Sequence, residues 1–382
     1  MVGAGVVGAS LAYHLARRGA AVTLLDAEPP AGGATGAAFG WINGAHGAFG
    51  AATPLRQLAG EDWRRVAQDL GLTLDVQWCG AVSWQPSPAD TERFVRERVA
   101  EGHDVRLVTR GELAALEPGL IDPPPCAAYA AHDGTTDPAG ATQVLVRAAC
   151  AGGARLRAGA RAVALVARGG RVAGVRTREG TDGGAREEEV VADVVVVAAG
   201  VGAAALCRPL GVHVPVAGSP ALLLRFGTRA PLVHGVVSAP DLEVRQASAT
   251  VLLAAAEFPD PAHGAPDAST GDASAHAATR IAEHTRASVA RHLRGGEGVV
   301  LERVTVGVRP MPPDGLPIVG PVRGVDGLYL AVLHSGVTLA PTVGRLAAAE
   351  LLDGLRSPLL EPCRPERFDA LVEPPRPAPA DL

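Results

Sequence analysis

A chain of 382 residues, 47% hydrophobic and 20% charged, is long enough for two domains or for one large α/β domain with an insertion. Its formal charge of −5 leaves no basic surface for nucleic acid. Cys79, Cys126, Cys150, Cys207 and Cys363 are scattered with no C-x-x-C pair, and the apolar run at 190–206 is broken by Asp193, Gly200 and Gly202, so no disulfide framework, metal centre or transmembrane segment is expected and the protein reads as cytoplasmic.

The chain opens on Met1-Val2-Gly3-Ala4-Gly5-Val6-Val7-Gly8, a G-x-G-x-x-G turn. Gly3 permits the tight turn, Gly5 a close approach to phosphate, and Gly8 close packing of the following helix on the sheet. A helical stretch to Arg18, a stop at Gly19 and an apolar run Ala21–Leu25 follow, ending in Asp26, 18 residues past Gly8. An acid at that position suits ribose hydroxyls, and the helix N-terminus suits a pyrophosphate. Only Met1 and Val2 precede Gly3, where a full strand would take about five residues. Either the start codon is misassigned or the first strand is cut short, and a chain starting at Met1 is expected to have a poorly pinned turn and weak cofactor retention.

Residues 28–44 are rich in small residues that let backbone approach a ligand. Leu55 to Leu70 has helical spacing, strands are expected at 74–78 and 81–84, and Ser87 and Thr109 begin capping boxes. These pieces are not βαβ-patterned and read as an insertion. Asp137-Pro138 caps a helix to about 151. Strands follow at 155–157, 161–166 and 171–176, then a polar hairpin, then a buried parallel strand from Val190 to the turn at Gly200. Short β-runs return at 221–255, a Pro/Gly-rich loop covers 260–275, and a helix spans about 277–293. Near the end, a strand closing at His334 leads through a Gly-containing loop to a helix from about Pro341 to Leu352. A Pro-rich, disordered tail is expected from Glu373.

Three stretches, Gly3–Gly8 with Asp26, Arg309-Pro-Met-Pro-Pro-Asp-Gly-Leu-Pro-Ile-Val-Gly320 and His334-Ser-Gly-Val-Thr-Leu-Ala-Pro341, together with Ala198-Ala-Gly200, resemble the D-amino-acid oxidase superfamily of FAD enzymes, which includes glycine oxidase, sarcosine oxidase and D-amino-acid dehydrogenase. The resemblance implies an α/β (α+β) fold: a Rossmann-like FAD-binding domain of glutathione-reductase type (1–45, 136–218 and 300–356), a sheet-containing substrate domain (46–135 and 219–299) and a C-terminal tail (357–382). It places Val6 and Val7 at the pyrophosphate and Asp26 and Ala27 at the adenosine ribose. Ala34, Thr35, Phe39, Gly40 and Trp41 would run towards the isoalloxazine. Val163 would lie on the adenine side, and Gly336, Val337, Thr338 and Leu339 at the pyrimidine edge, where the helix after Leu339 would stabilise anionic reduced flavin. Arg309 would bind a substrate carboxylate. The usual covalent attachment positions fall on Gly307 and on Ala38–Phe39, so the FAD is expected to be non-covalent.

The activity so implied is oxidation of the Cα–N bond of a small amine or amino acid by hydride transfer to flavin N5, with oxygen, a quinone or another protein as electron acceptor. His334 and Ser335 are either catalytic or a strand-end pair that shapes the flavin loop; Asn43 and His46 are weaker candidates. Flavin binding without turnover is the alternative, motivated by the short first strand. A nicotinamide dehydrogenase would leave the two C-terminal motifs without a role.

Overall fold

The computed structural model describes all residues except 46–49, 72–73, 181–183, 259–270 and 372–382. His46, most of the Pro/Gly-rich loop and the Pro-rich tail lie outside the described residues.

The nucleotide sheet runs in the order Arg155–Ala158, Thr23–Asp26, Met1–Val2, Val195–Val197, Leu328–Val332, Ile318–Pro321, parallel except for the last pair. The expectation of a poorly pinned Gly-rich turn is corrected here. Val2 bridges Leu25 on one side and Val197 on the other. Val2 N–H donates to Val196 O and its carbonyl accepts from Ala198 N, while Gly3 N donates to Leu25 O and Leu25 N to Met1 O, all at 2.8–2.9 Å. Two residues thus close the ladder on both sides at the one point where the turn leaves the sheet, which is all the turn requires of that strand.

Helix Val6–Ala16 packs against Pro138–Ala151 and Gly336–Asp353. The last contact is very close: a Cβ on Gly344 would fall 2.4 Å from Ser10 Oγ, which donates to Ala340 O at 2.8 Å. Leu11, Leu15, Leu145 and Val343 fill the space between. Helix Thr53–Leu70 joins this same core through Leu55, Trp63 and Val66 rather than packing with the second sheet. On the other face of the nucleotide sheet lies a three-stranded antiparallel sheet, Arg161–Arg168, Arg171–Glu179 and Arg186–Val191. The single parallel strand expected from Val190 to Gly200 is therefore divided. Its first part pairs antiparallel with Arg171–Glu179, Asp193 is exposed at the break, and only Val195–Val197 enters the nucleotide sheet.

The second sheet has eight strands in the order Val300–Met311, Ala217–Gly227, Val251–Glu257, Leu242–Ser248, Val236–Ala239, Ala81–Ser83, Cys126–Ala130, Arg106–Thr109. Alternation assigns its faces. Leu222, Leu224, Phe226, Val244, Leu252 and Ala254 form a core beneath helix Gly271–His292. The residues between them, Ala221, Leu223, Glu243, Ala255, Glu257, Gly307 and Arg309, face a cavity against the nucleotide sheet. A nucleotide sheet flanked by helices, joined to a sheet-rich second unit, is the fold class that the sequence implies.

Candidate functional site

A cavity of about 930 Å³ runs from the Gly-rich turn to Arg309. At its first end, backbone comes closer than side chains would allow. Gly3 has φ +104°, and a Cβ there would lie 2.4 Å from Ala198 O; a Cβ on Gly8 would lie 2.0 Å from Gly3 O. Gly8 thus seats the helix and does not line the cavity, whereas Gly3, Gly5, Val6 and Val7 do. No side chain caps helix Val6–Ala16 at Gly5; Val6 N–H donates to Thr35 Oγ1 at 3.1 Å. Asp26 accepts from Ala4 N (2.6 Å) and Glu28 N (3.0 Å) and reaches the cavity wall beside Ala27. Ala34, Thr35, Val163 and Gly200 complete this end.

In the middle, Phe39, Gly40 and Trp41 cross the floor. Gly40 (φ +86°) lets the chain pass where a Cβ would meet Thr136 O at 2.2 Å. Arg245, buried on the second sheet, ties this stretch down by donating to Phe39 O (2.5 Å) and Thr136 O (3.0 Å). Trp41 Nε1 donates to Asp133 Oδ2 at 2.9 Å, and burial pushes the Asp133 carboxyl up to about 7. Arg56, only 4% exposed, donates to Asn43 Oδ1 (2.8 Å) and Ser335 Oγ (2.6 Å).

The C-terminal helix corrects the expected boundary, for it starts at Gly336 and not near Pro341. Ser335 precedes it in the left-handed region (φ +57°), so Gly336, Val337 and Thr338 are the helix's first turn and line the cavity, while Leu339 is buried in the core. Pro341 has no N–H for Val337 O, its i−4 carbonyl. The indole of fully buried Trp63 replaces it, donating to Val337 O at 2.9 Å and to Thr338 O at 3.2 Å. A proline that reads as a helix start is thus accommodated inside the helix.

At the far end, Arg309 donates from Nη1 and Nη2 to both oxygens of Glu257 (2.9 and 2.6 Å) and from Nη2 to Ser219 Oγ (2.8 Å). Half-buried His334 lies in the same wall. Burial, helped by Arg309 and Arg56 and opposed by Glu257, pushes its pKa down to about 4, so it is neutral at physiological pH, and its Nδ1 is 3.3 Å from Ser335 Oγ. This geometry suits a residue that shapes the loop. Sequence reasoning missed Arg56, Asp133, Arg245, Glu243 and Glu257. The alternation in Leu242-Glu-Val-Arg245 was a usable signal for two of them; Arg56 and Asp133 carry none, since only the fold brings them to the loop.

The FAD dependent oxidoreductase (DAO) family model matches residues 1–350. The chain is 30% identical over 377 residues to the uncharacterized oxidoreductase YurR of Bacillus subtilis, covering 90% of this chain and 92% of that protein. It is 28% identical to the D-amino acid dehydrogenase of Cereibacter sphaeroides, covering 94% and 92%. The structure of glycine oxidase from Geobacillus kaustophilus superposes with a TM-score of 0.80 at 23% identity, over 95% of this chain and 96% of that one.

Proposed function

The chain belongs to the DAO family of FAD-dependent oxidoreductases, which act on amino acids or amines, and from that premise we propose that it oxidises the Cα–N bond of a small amino acid or N-substituted amino acid anchored by its carboxylate. The carrying observation is that Arg309 already holds a carboxylate in a two-nitrogen fork at the far end of the cavity that begins at the Gly-rich turn. Arginine is suited to that task because its planar donors match both oxygens.

The residues present fit FAD. The helix start at Gly5–Val7 would face a pyrophosphate, Asp26 would take a ribose, and the first turn at Gly336–Thr338 would meet the pyrimidine edge. When bound, FAD supplies a two-electron acceptor. The chain itself orients the substrate through Arg309 and Ser219. Ala221 and Ala255 line the cavity with small side chains, and His334 is kept neutral in the same wall. Positioning carries most of the catalytic load in this scheme.

In this reading 1–45, 136–218 and 300–356 hold the cofactor and 46–135 with 219–299 shape the substrate side, except that helix Thr53–Leu70 packs into the nucleotide core and strand Val300–Met311 belongs to the second sheet. Gly307 and Ala38–Phe39 offer no nucleophile for flavin attachment, so acid precipitation should release all yellow colour to the supernatant. Flavin binding without turnover has lost its motive, since Val2 is paired on both sides. Anaerobic bleaching of the flavin by a panel of D- and L-amino acids, glycine, sarcosine and proline tests the reading; a flavin that none of them reduces refutes it.

A further inference from the structure

The far end of the cavity carries more negative charge than a simple amino acid can use. Glu243 lies directly across from Ala255, and Glu257 is two residues beyond Ala255 on that same strand. The two carboxylates are therefore diagonal neighbours on one sheet face, with Cβ atoms about 7–8 Å apart in such a pair. Both line the cavity. Burial, and then the charge of Glu257, push the Glu243 carboxyl up to about 7, while Arg309 pulls it down and Ser238 hydrogen-bonds it.

The cations that could compensate are accounted for. Arg245 is held on Phe39 O and Thr136 O, and Arg56 on Asn43 and Ser335. Arg161 is on the strand that walls the dinucleotide end, and His334 is neutral. Among the described residues Arg309 alone serves the two acids, and Glu257 occupies its fork. A substrate carboxylate must displace Glu257 to bind. The Glu257 side chain is 76% exposed, so it can turn, but it then joins Glu243 while the Arg309 fork is taken up by the substrate carboxylate.

We propose that Glu257 sets the specificity of this pocket: it holds the Arg309 fork in the empty site and, once displaced by the substrate carboxylate, receives with Glu243 a second cationic group, so that the preferred substrates are amino acids with a basic side chain. This rests on the function proposed above. The small residues Ala221 and Ala255 give the substrate's aliphatic stem a path to the two acids.

The test uses the FAD-loaded enzyme and pairs lysine with norleucine, nearly equal in shape but differing in the distal charge, in both enantiomers. In anaerobic stopped-flow, the second-order constant for flavin reduction should favour lysine by about tenfold or more. Glu257→Gln should lower it for lysine and raise it for norleucine. A second readout needs no turnover. Calorimetric binding of acetate should tighten about tenfold in Glu257→Gln, because the competing internal carboxylate is gone. Flavin reduction by norleucine as fast as by lysine, or acetate affinity unchanged by the substitution, overturns the inference and leaves the function intact. If no amino acid of either hand reduces the flavin, the proposed function falls and this inference with it.

Discussion

Trp63→Phe is expected to destabilise the protein chiefly through a proline. Trp63 Nε1 is the donor that serves Val337 O, the carbonyl that Pro341 cannot satisfy. Removing the indole N–H leaves that carbonyl unpartnered, at about 1–3 kcal/mol, and shrinking a fully buried ring adds roughly 1–2 kcal/mol for the void. Pro341→Ala restores an amide at the position from which helix geometry serves Val337 O. In that background Trp63→Phe should cost only the void term, so a double-mutant cycle should show a coupling of about 1–2 kcal/mol. Urea unfolding of the four FAD-loaded proteins measures it. Strictly additive costs would show that the indole does not replace the missing helix bond, and the account of the helix starting at Gly336 would lose its support.

Arg309→Ala should lower kcat/KM for a carboxylate substrate by about 2–4 kcal/mol with FAD content unchanged, and Arg309→Lys should recover only part, since lysine lacks the fork; intact kinetics in both variants would return Arg309 to a structural pair with Glu257. Asp133 is held near 7 by burial but titrates near ~4 when unfolded, so the folded state binds the extra proton between those values and its stability falls as pH rises through that window. Asp133→Asn should therefore gain on the wild type by roughly 2–4 kcal/mol between pH 4 and 7. Buried His14 and half-buried His334, with pKa values pushed down to about 4, act in the opposite sense, which is why the difference between the two proteins is the quantity to follow by thermal unfolding. A difference that does not change with pH would show that Asp133 stays ionised in the folded protein.

What could be read from the sequence was whatever a local pattern must produce. The Ser87 N-cap, the Thr109 capping box and the Asp137-Pro138 helix start all form as their spacing dictates, because each satisfies its own backbone within a few residues. Two misreadings share one cause: a distant group supplied what the local chain lacked. Leu25 and Val197 complete a strand only two residues long, and Trp63 supplies the hydrogen bond that Pro341 removes. The same cause hid part of the site. Arg309 was visible through its motif, but its partner Glu257 lies 52 residues away, and only strand pairing brings them together.

That pairing bears on how the pocket chooses a ligand. Ser219 lies across from Arg309, and Ala221 lies across from both Gly307 and Glu257. The carboxylate fork and its internal competitor are thus built on one rigid sheet face, and only the Glu257 side chain has freedom to move. A ligand that takes the fork must replace what Glu257 supplies there, so affinity at this end depends on the difference between two carboxylates rather than on the strength of one. Selectivity then comes from what the displaced Glu257 meets, and the shape of the pocket around Arg309 need not change to provide it.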